Sequence, residues 1–211
     1  MQILRWLSFI GVHFLFTGIV LAEDITYKNI SSDMVTISAG KFKMGCNKFG
    51  PMHGAPEHYV FLDRFMIDRF EVSNKLFEDI IPDHKIRRSK LSKCDNCPVT
   101  NVSWFEALDY CYLIGKTLPT EAQWEKAGGN NDGCDFPWGN SFDSNGNQAR
   151  GGLDLRDKTL PVGSFPPNKM GVYDMGGNVW EWVSDWMSPG YQIAGILINP
   201  KGPPSGIMKV R

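Results

Sequence analysis

Between Asp174 and Glu181 the sequence reads "DMGGNVWE", two acids enclosing a glycine pair, an asparagine and a tryptophan. A hard cation such as calcium takes six to eight oxygens from carboxylates, amide side chains and backbone carbonyls. Asp174 and Glu181 supply the anionic ends of such a set, and Gly177 and Val179 supply free carbonyls between them. Glycines permit a tight curl here, and the tryptophans of "VWEWVSDW" offer apolar surface to dry it. A second oxygen-rich patch, "NQARGGLDLRD", holds Asn147, Asp154 and Asp157. The competing reading is that these acids and amides only cap turns. No D-x-D-x-D-G loop is present to decide between the two.

Thiols are the other reactive set: Cys46, Cys94, Cys97, Cys111 and Cys134. Cys94 and Cys97, in "KCDNCP", are close enough to close a small disulfide loop. A metal or redox C-x-x-C is the alternative, but a second C-x-x-C and a neighbouring histidine are both missing. His53 and His58 lie just ahead of a strand pattern and read as surface residues. "NVS" at Asn101 fits a glycosylation acceptor.

These groups need elements to hold them. "DMVTISAGKFKMG" alternates apolar and polar residues on both sides of Gly40 and reads as a hairpin, with Val35 and Ile37 on one arm and Phe42 and Met44 on the other. "HYVFLDRFMIDRFEV" gives two further short strands, after which Ser73 caps a helix through "NKLFEDII" that Pro82 ends. "DHKIRRSKLSK" is basic, poorly patterned and reads as a solvated loop. Ser103 with Glu106 and Thr120 with Gln123 form two capping boxes. Trp104, Ala107, Leu108 and Cys111 then share one face of the first helix, and Gly128 and Gly129 end the second. From "DGCDFPWGN" onward periodicity disappears, although Phe136, Trp138, Phe142 and Phe165 still offer surface to bury.

The first 22 residues place the chain in a compartment. Arg5, an apolar run from Trp6 to Leu21 and "VLA" before Glu23 describe a secretory signal peptide; an uncleaved anchor is the alternative. No later segment reaches spanning length, so the expectation is an exported chain, secreted or periplasmic, with no stable membrane span after cleavage. A net charge of −1 gives no electrostatic case for nucleic acid or an anionic surface. With 22 glycines, 13 prolines and few long amphipathic stretches, the fold class is α+β, loop-rich and low in regular secondary structure.

Seven blocks carry a resemblance: "MVTISAGKFKMG", "IDRFEVSN", "PVTNVSWFEALDYC", "LPTEAQWEKA", "FPWGN", "LPVGSFPPNKMGVYDMGGNVWEWVSDW" and "NPKGPPSG". In this order they resemble the formylglycine-generating enzyme, or sulfatase-modifying factor, domain family, over residues 34–211. The resemblance implies a compact fold related to C-type lectins and two structural calcium sites. Asn147, the carbonyl of Gln148, Asp154 and the carbonyl of Arg156 match the first. Asp174, the carbonyls of Gly177 and Val179, and Glu181 match the second, with Asp174 where the family often has asparagine.

The family's activity is oxidation of a substrate cysteine to formylglycine by dioxygen, using copper(I) held by two cysteines after a "GGS"-aromatic strand. Here the chain reads "GIMKVR" where that strand begins in the family, and no cysteine follows Cys134. The expectation is a domain incomplete at its C-terminus, with no catalytic residue assigned, poorly soluble as it stands, and copper expected only for a full-length catalytic homologue. The alternative is a non-catalytic, calcium-stabilised accessory or ligand-binding module. Either reading implies a protein or peptide as substrate or ligand. A sulfoxide-forming relative fits less well, because the four histidines make no H-x3-H-x-E arrangement.

Overall fold

The structure is a computed structural model and describes residues 33–45, 56–129, 136–137, 158–187 and 195–211. The leader expected in residues 1–22 lies outside them.

Strands β1 (Met34–Ile37) and β2 (Gly40–Met44) are both present, but they do not form a hairpin. β1 pairs antiparallel with β4 (Phe65–Asp68), Val35 opposite Ile67 and Ile37 opposite Phe65. β2 pairs antiparallel with β3 (His58–Leu62), Phe42 opposite Val60. The reason lies in the two residues between them. A two-residue hairpin needs positive φ at its central positions, usually from Asn-Gly or Gly-X, and Ser38-Ala39 supplies neither. The chain passes instead from one sheet to the other. The buried ammonium of Lys126 holds that crossing by donating to the Ser38 and Gly40 carbonyls, at 2.9 Å each.

β5 (Ile196–Ile198) adds to β3 in parallel, Val60 opposite Leu197. Three residues flanked by Gly195 and Pro200 are too short to show a period, so sequence reading missed it. Asn199 then locks the join: its Oδ1 accepts from Asp63 N–H at 2.9 Å and its Nδ2 donates to the Asp63 carboxylate at 2.7 Å.

The three helices follow their caps. α1 (Asn74–Glu78) starts at Ser73, whose hydroxyl accepts from Leu76 N–H. α2 (Trp104–Leu113) and α3 (Glu121–Ala127) both carry complete capping boxes, Ser103 with Glu106 and Thr120 with Gln123. α3 lies across both sheets. Ala122 joins Phe42, Met44, Val60 and Leu62 in one core, while Ala127 joins Ile37, Val172 and Met175 in the other. On α2 the deeply buried residue is Tyr110, stacked on Phe77 of α1 with ring centroids 5.0 Å apart. Cys111, expected to point inward, is only half-buried.

The basic stretch after Pro82 is not a solvated loop. Pro82–Arg87 is a 3-10 helix, Pro82 opening it rather than only ending α1. His84 is fully buried, edge-on to Phe77, with Nε2–H donating to Thr100 O at 2.8 Å. The Arg88 guanidinium forks onto both oxygens of Glu78 at 2.5 Å each, which holds the Glu78 carboxyl below its ordinary range. Cys94 and Cys97 form the expected disulfide. Its loop anchors α1, because Asn74 N–H donates to Cys97 O and Asn74 Nδ2 donates to the Ser92 and Cys94 carbonyls.

Candidate metal centre

Residues 158–187 contain no regular helix or strand, so their polar backbone groups must find partners elsewhere. Two amides do most of the joining. Asn168 Oδ1 accepts from Met170 N–H and Val172 N–H, while its Nδ2 donates to Ala127 O at the end of α3. Asn178 Oδ1 accepts from Leu160 N–H, and its Nδ2 donates to Leu160 O at 3.2 Å and to Glu71 Oε2 at 2.7 Å. Asp174 and Asn178 both stand at positive φ, 58° and 62°, a region that Asn and Asp tolerate better than other side-chain-bearing residues. Those two positions bend the chain into the curl that "DMGGNV" suggests.

Asp174 is buried, and its carboxylate accepts from Gly163 N–H at 2.5 Å and Phe165 N–H at 3.4 Å. Gly163 is required there: its φ is 76°, and a Cβ would come within 2.8 Å of the Phe70 ring. Glu181 is held by the indole of Trp124 on α3, Nε1–H donating to Oε2 at 2.9 Å. The neighbouring indoles serve the backbone instead. Trp182 donates to Val102 O at 3.1 Å and Trp104 to Val183 O at 2.7 Å. Trp180, expected to bury against the body, is 69% exposed.

The electrostatics of this region run one way. Burial pushes the Glu181 carboxyl up to about 7; the charge of Asp174 adds to this, and the Trp124 N–H offsets part of it. Burial also raises Asp174, against the pull of the Gly163 and Phe165 N–H groups. A third acid, Glu71, was not singled out from sequence. Burial, followed by the charges of Glu181 and Asp174, pushes it well above the usual carboxylate range. Its only sequence signal is a lone glutamate in the apolar run "RFEVS". Three acids raised by burial, two of them further by a neighbouring acid, are relieved either by protons or by a cation.

The donors fit a hard ion. Asp174, Glu181 and the carbonyl residues Gly177 and Val179 fall within one eight-residue curl and offer only oxygen atoms, the donors a hard ion takes. Among the described residues, no group of three or more His, Cys, Asp and Glu side chains gathers at metal-holding distances. This set has only two carboxylates, and carbonyls must complete it. The other expected site, Asn147, Gln148, Asp154 and Arg156, lies outside the described residues, as does Asp157.

A soft ion such as copper(I) does not fit what is described. Cys94 and Cys97 are bonded to each other. Burial and, behind it, Asp68 push the Cys111 thiol up to about 11, far from the thiolate form that binds metal. Cys46 and Cys134 lie outside the described residues.

Residues 23–209 match the sulfatase-modifying factor enzyme 1-like domain. The chain is 33% identical over 241 residues to the formylglycine-generating enzyme of Bos taurus, covering 84% of this chain and 64% of that protein. It thus spans just under two thirds of that relative's length. It is 31% identical over 212 residues to the inactive C-alpha-formylglycine-generating enzyme 2 of Bos taurus, covering 72% of this chain and 70% of that protein. Among solved structures, Treponema denticola variable protein 1 superposes with a TM-score of 0.70 at 23% identity, covering 83% of this chain and 81% of the other, which is a likeness of fold.

Proposed function

This chain belongs to the sulfatase-modifying factor enzyme 1-like domain family, and on that premise we propose that it is an exported, calcium-stabilised domain of that type. At one site the ion is held by Asp174, the carbonyls of Gly177 and Val179, and Glu181; the second ion takes Asn147, Gln148, Asp154 and Arg156. The observation that carries this is the burial of the acids Asp174 and Glu181, with Glu71 behind them at Asn178, around a segment without a ladder of its own. Bound calcium neutralises those charges and ties the curl together. Thermal melts with and without a chelator test it. At a calcium concentration a hundredfold above Kd, a one-site ion adds about 2.7 kcal/mol. Identical melting temperatures in chelator and in millimolar calcium would discard the proposal.

Export is supported by the leader pattern through Ala22 and by the Cys94–Cys97 disulfide, which persists in oxidising compartments. Among the described residues, no helix is long and apolar enough to cross a membrane.

For activity, the proposal is a lineage of oxygen-dependent cysteine-to-formylglycine oxidation, with a protein or peptide as substrate. Copper(I) supplies the oxygen chemistry in that lineage and needs a pair of thiolates. The described thiols give no such pair, so the chain as given is proposed not to turn over. Incubating it with a C-x-P-x-R peptide, copper and oxygen should leave the peptide mass unchanged; loss of the thiol sulfur from that mass would overturn this. The second reading is a non-catalytic accessory or ligand-binding module. The likeness to a relative named inactive, over 70% of that relative's length, favours it.

A further inference from the structure

Glu71 is the acid for which the hydrogen bonding does not account. It lies between Phe70 and Val72, three residues ahead of Asn74 at the start of α1, and is only 9% exposed. Its Oε1 is buried with no hydrogen-bond partner among the described residues. Its carboxylate accepts from Asn178 Nδ2, to Oε2 at 2.7 Å, and is also held by the backbone N–H of Val179. A carboxylate taken out of water with one oxygen orphaned is costly unless a compensating charge lies nearby. Among the described residues no Lys or Arg is paired with Glu71, and the charges that bear on it are the acids Glu181 and Asp174. Among the described residues nothing offsets that charge, which a proton or a bound cation would do.

The Asn178 and Val179 hydrogen bonds tie Glu71 to the calcium curl. Asn178 stands at φ 62°, between Gly177 and Val179, the two residues whose carbonyls the calcium set requires. Gly177 is tied back by its own N–H to Asp174 O at 3.0 Å. On its other side Asn178 is fixed by two hydrogen bonds to Leu160. Glu71 thus grips the curl at its midpoint, from a part of the chain 107 residues away. No third acid gathers with Asp174 and Glu181 at metal-holding distance among the described residues, so Glu71 stands outside the ion's own ligand shell.

We propose that Glu71 is a positioning residue of the calcium centre: it holds Asn178, and with it the Gly177–Val179 curl, in the ion-binding arrangement, and adds a third negative charge behind the ligands. This rests on the calcium reading above. Partners behind the ligands orient them, and their loss lowers metal affinity by about 10–100-fold. Site charge also tunes calcium affinity, so neutralising Glu71 acts in the same direction as releasing Asn178.

The test titrates calcium chloride into the full chain by calorimetry, comparing the wild type with Glu71→Gln and Asn178→Gly. The glutamine keeps the size of the side chain. The glycine keeps the left-handed backbone and the Glu71 charge but removes the amide that links them. Terbium emission excited through the adjacent Trp180 and Trp182 reports on the same site independently. The expected result is calcium binding by the wild type, at least tenfold weaker binding by Glu71→Gln, and a several-fold loss in Asn178→Gly. A merely structural Glu71 would lower the melting temperature and leave Kd of the folded protein unchanged. Affinities within twofold of wild type in the folded variants overturn the inference while leaving the calcium reading intact. A wild type that binds neither calcium nor terbium sinks the calcium reading, and this inference with it. Should Glu71→Gln fail to fold, Asn178→Gly carries the same decision.

Discussion

Replacing Glu181 by glutamine should raise stability when calcium is absent and lose most of that advantage when calcium is bound. Burial and the charge of Asp174 push the Glu181 carboxyl up to about 7, against an ordinary 4.5. Each unit of that shift is worth about 1.4 kcal/mol, so ionising Glu181 in the ion-free fold at pH 8 costs about 3 kcal/mol. Glutamine removes that cost and keeps an oxygen to accept from Trp124 Nε1–H, now 2.9 Å from the carboxylate. In calcium-free buffer at pH 8 the variant should therefore melt higher than wild type. At about 2–4 °C per kcal/mol for a chain of this size, the rise is about 6–12 °C. In millimolar calcium that advantage is largely cancelled. The wild type gains about 2.7 kcal/mol at a hundredfold excess over Kd, and the variant, missing one of two anionic ligands, gains little. Scanning calorimetry of both proteins in both buffers reads all four values. A variant that melts lower than wild type by the same amount with and without calcium would mean that Glu181 acts only through packing.

The acid Glu125 predicts a pH dependence of its own. Burial raises it to about 7, with Glu121 adding to the rise and the Gly45 N–H opposing it. The stability this group contributes is full below pH 4.5 and is lost as pH rises to about 7, a fall of about 3 kcal/mol. Denaturant titrations of Glu125→Gln should show that window flattened, with the Gly45 N–H still accepted by the amide oxygen. Gly163→Ala should cost about 2–3 kcal/mol from positive φ and overpacking against Phe70, read as a lower denaturant midpoint. Replacing Cys94 and Cys97 together with serine should cost about 2 kcal/mol by the loop-entropy argument. The same change should speed amide exchange at Asn74 and Lys75, whose N–H groups donate to Cys97 O and Asp95 O.

Local chemistry was legible in the sequence wherever a few neighbouring residues decide the outcome. Ser73, Ser103 and Thr120 cap helices because each needs only the N–H groups of the following turn. Cys94 and Cys97 pair because three residues bring them within reach. The same short spacing puts Asp174 and Glu181 on one curl, which is why the sequence could suggest them together. Tertiary structure decided the rest. That β1 pairs with β4, and that the crossing between the sheets is held by a lysine on α3, 88 residues from Ser38, came only with the fold. His84 looked like part of a basic surface, and its burial is set by Phe77 and Thr100. Glu71 could not be placed from its neighbours, because the groups that give it a role, Asn178, Asp174 and Glu181, come from more than a hundred residues further along. Hydrogen bonds and turns are governed by distances that a short chain segment fixes by itself. Burial and the field at a buried charge depend on every segment that packs around it, and only the folded chain assembles those.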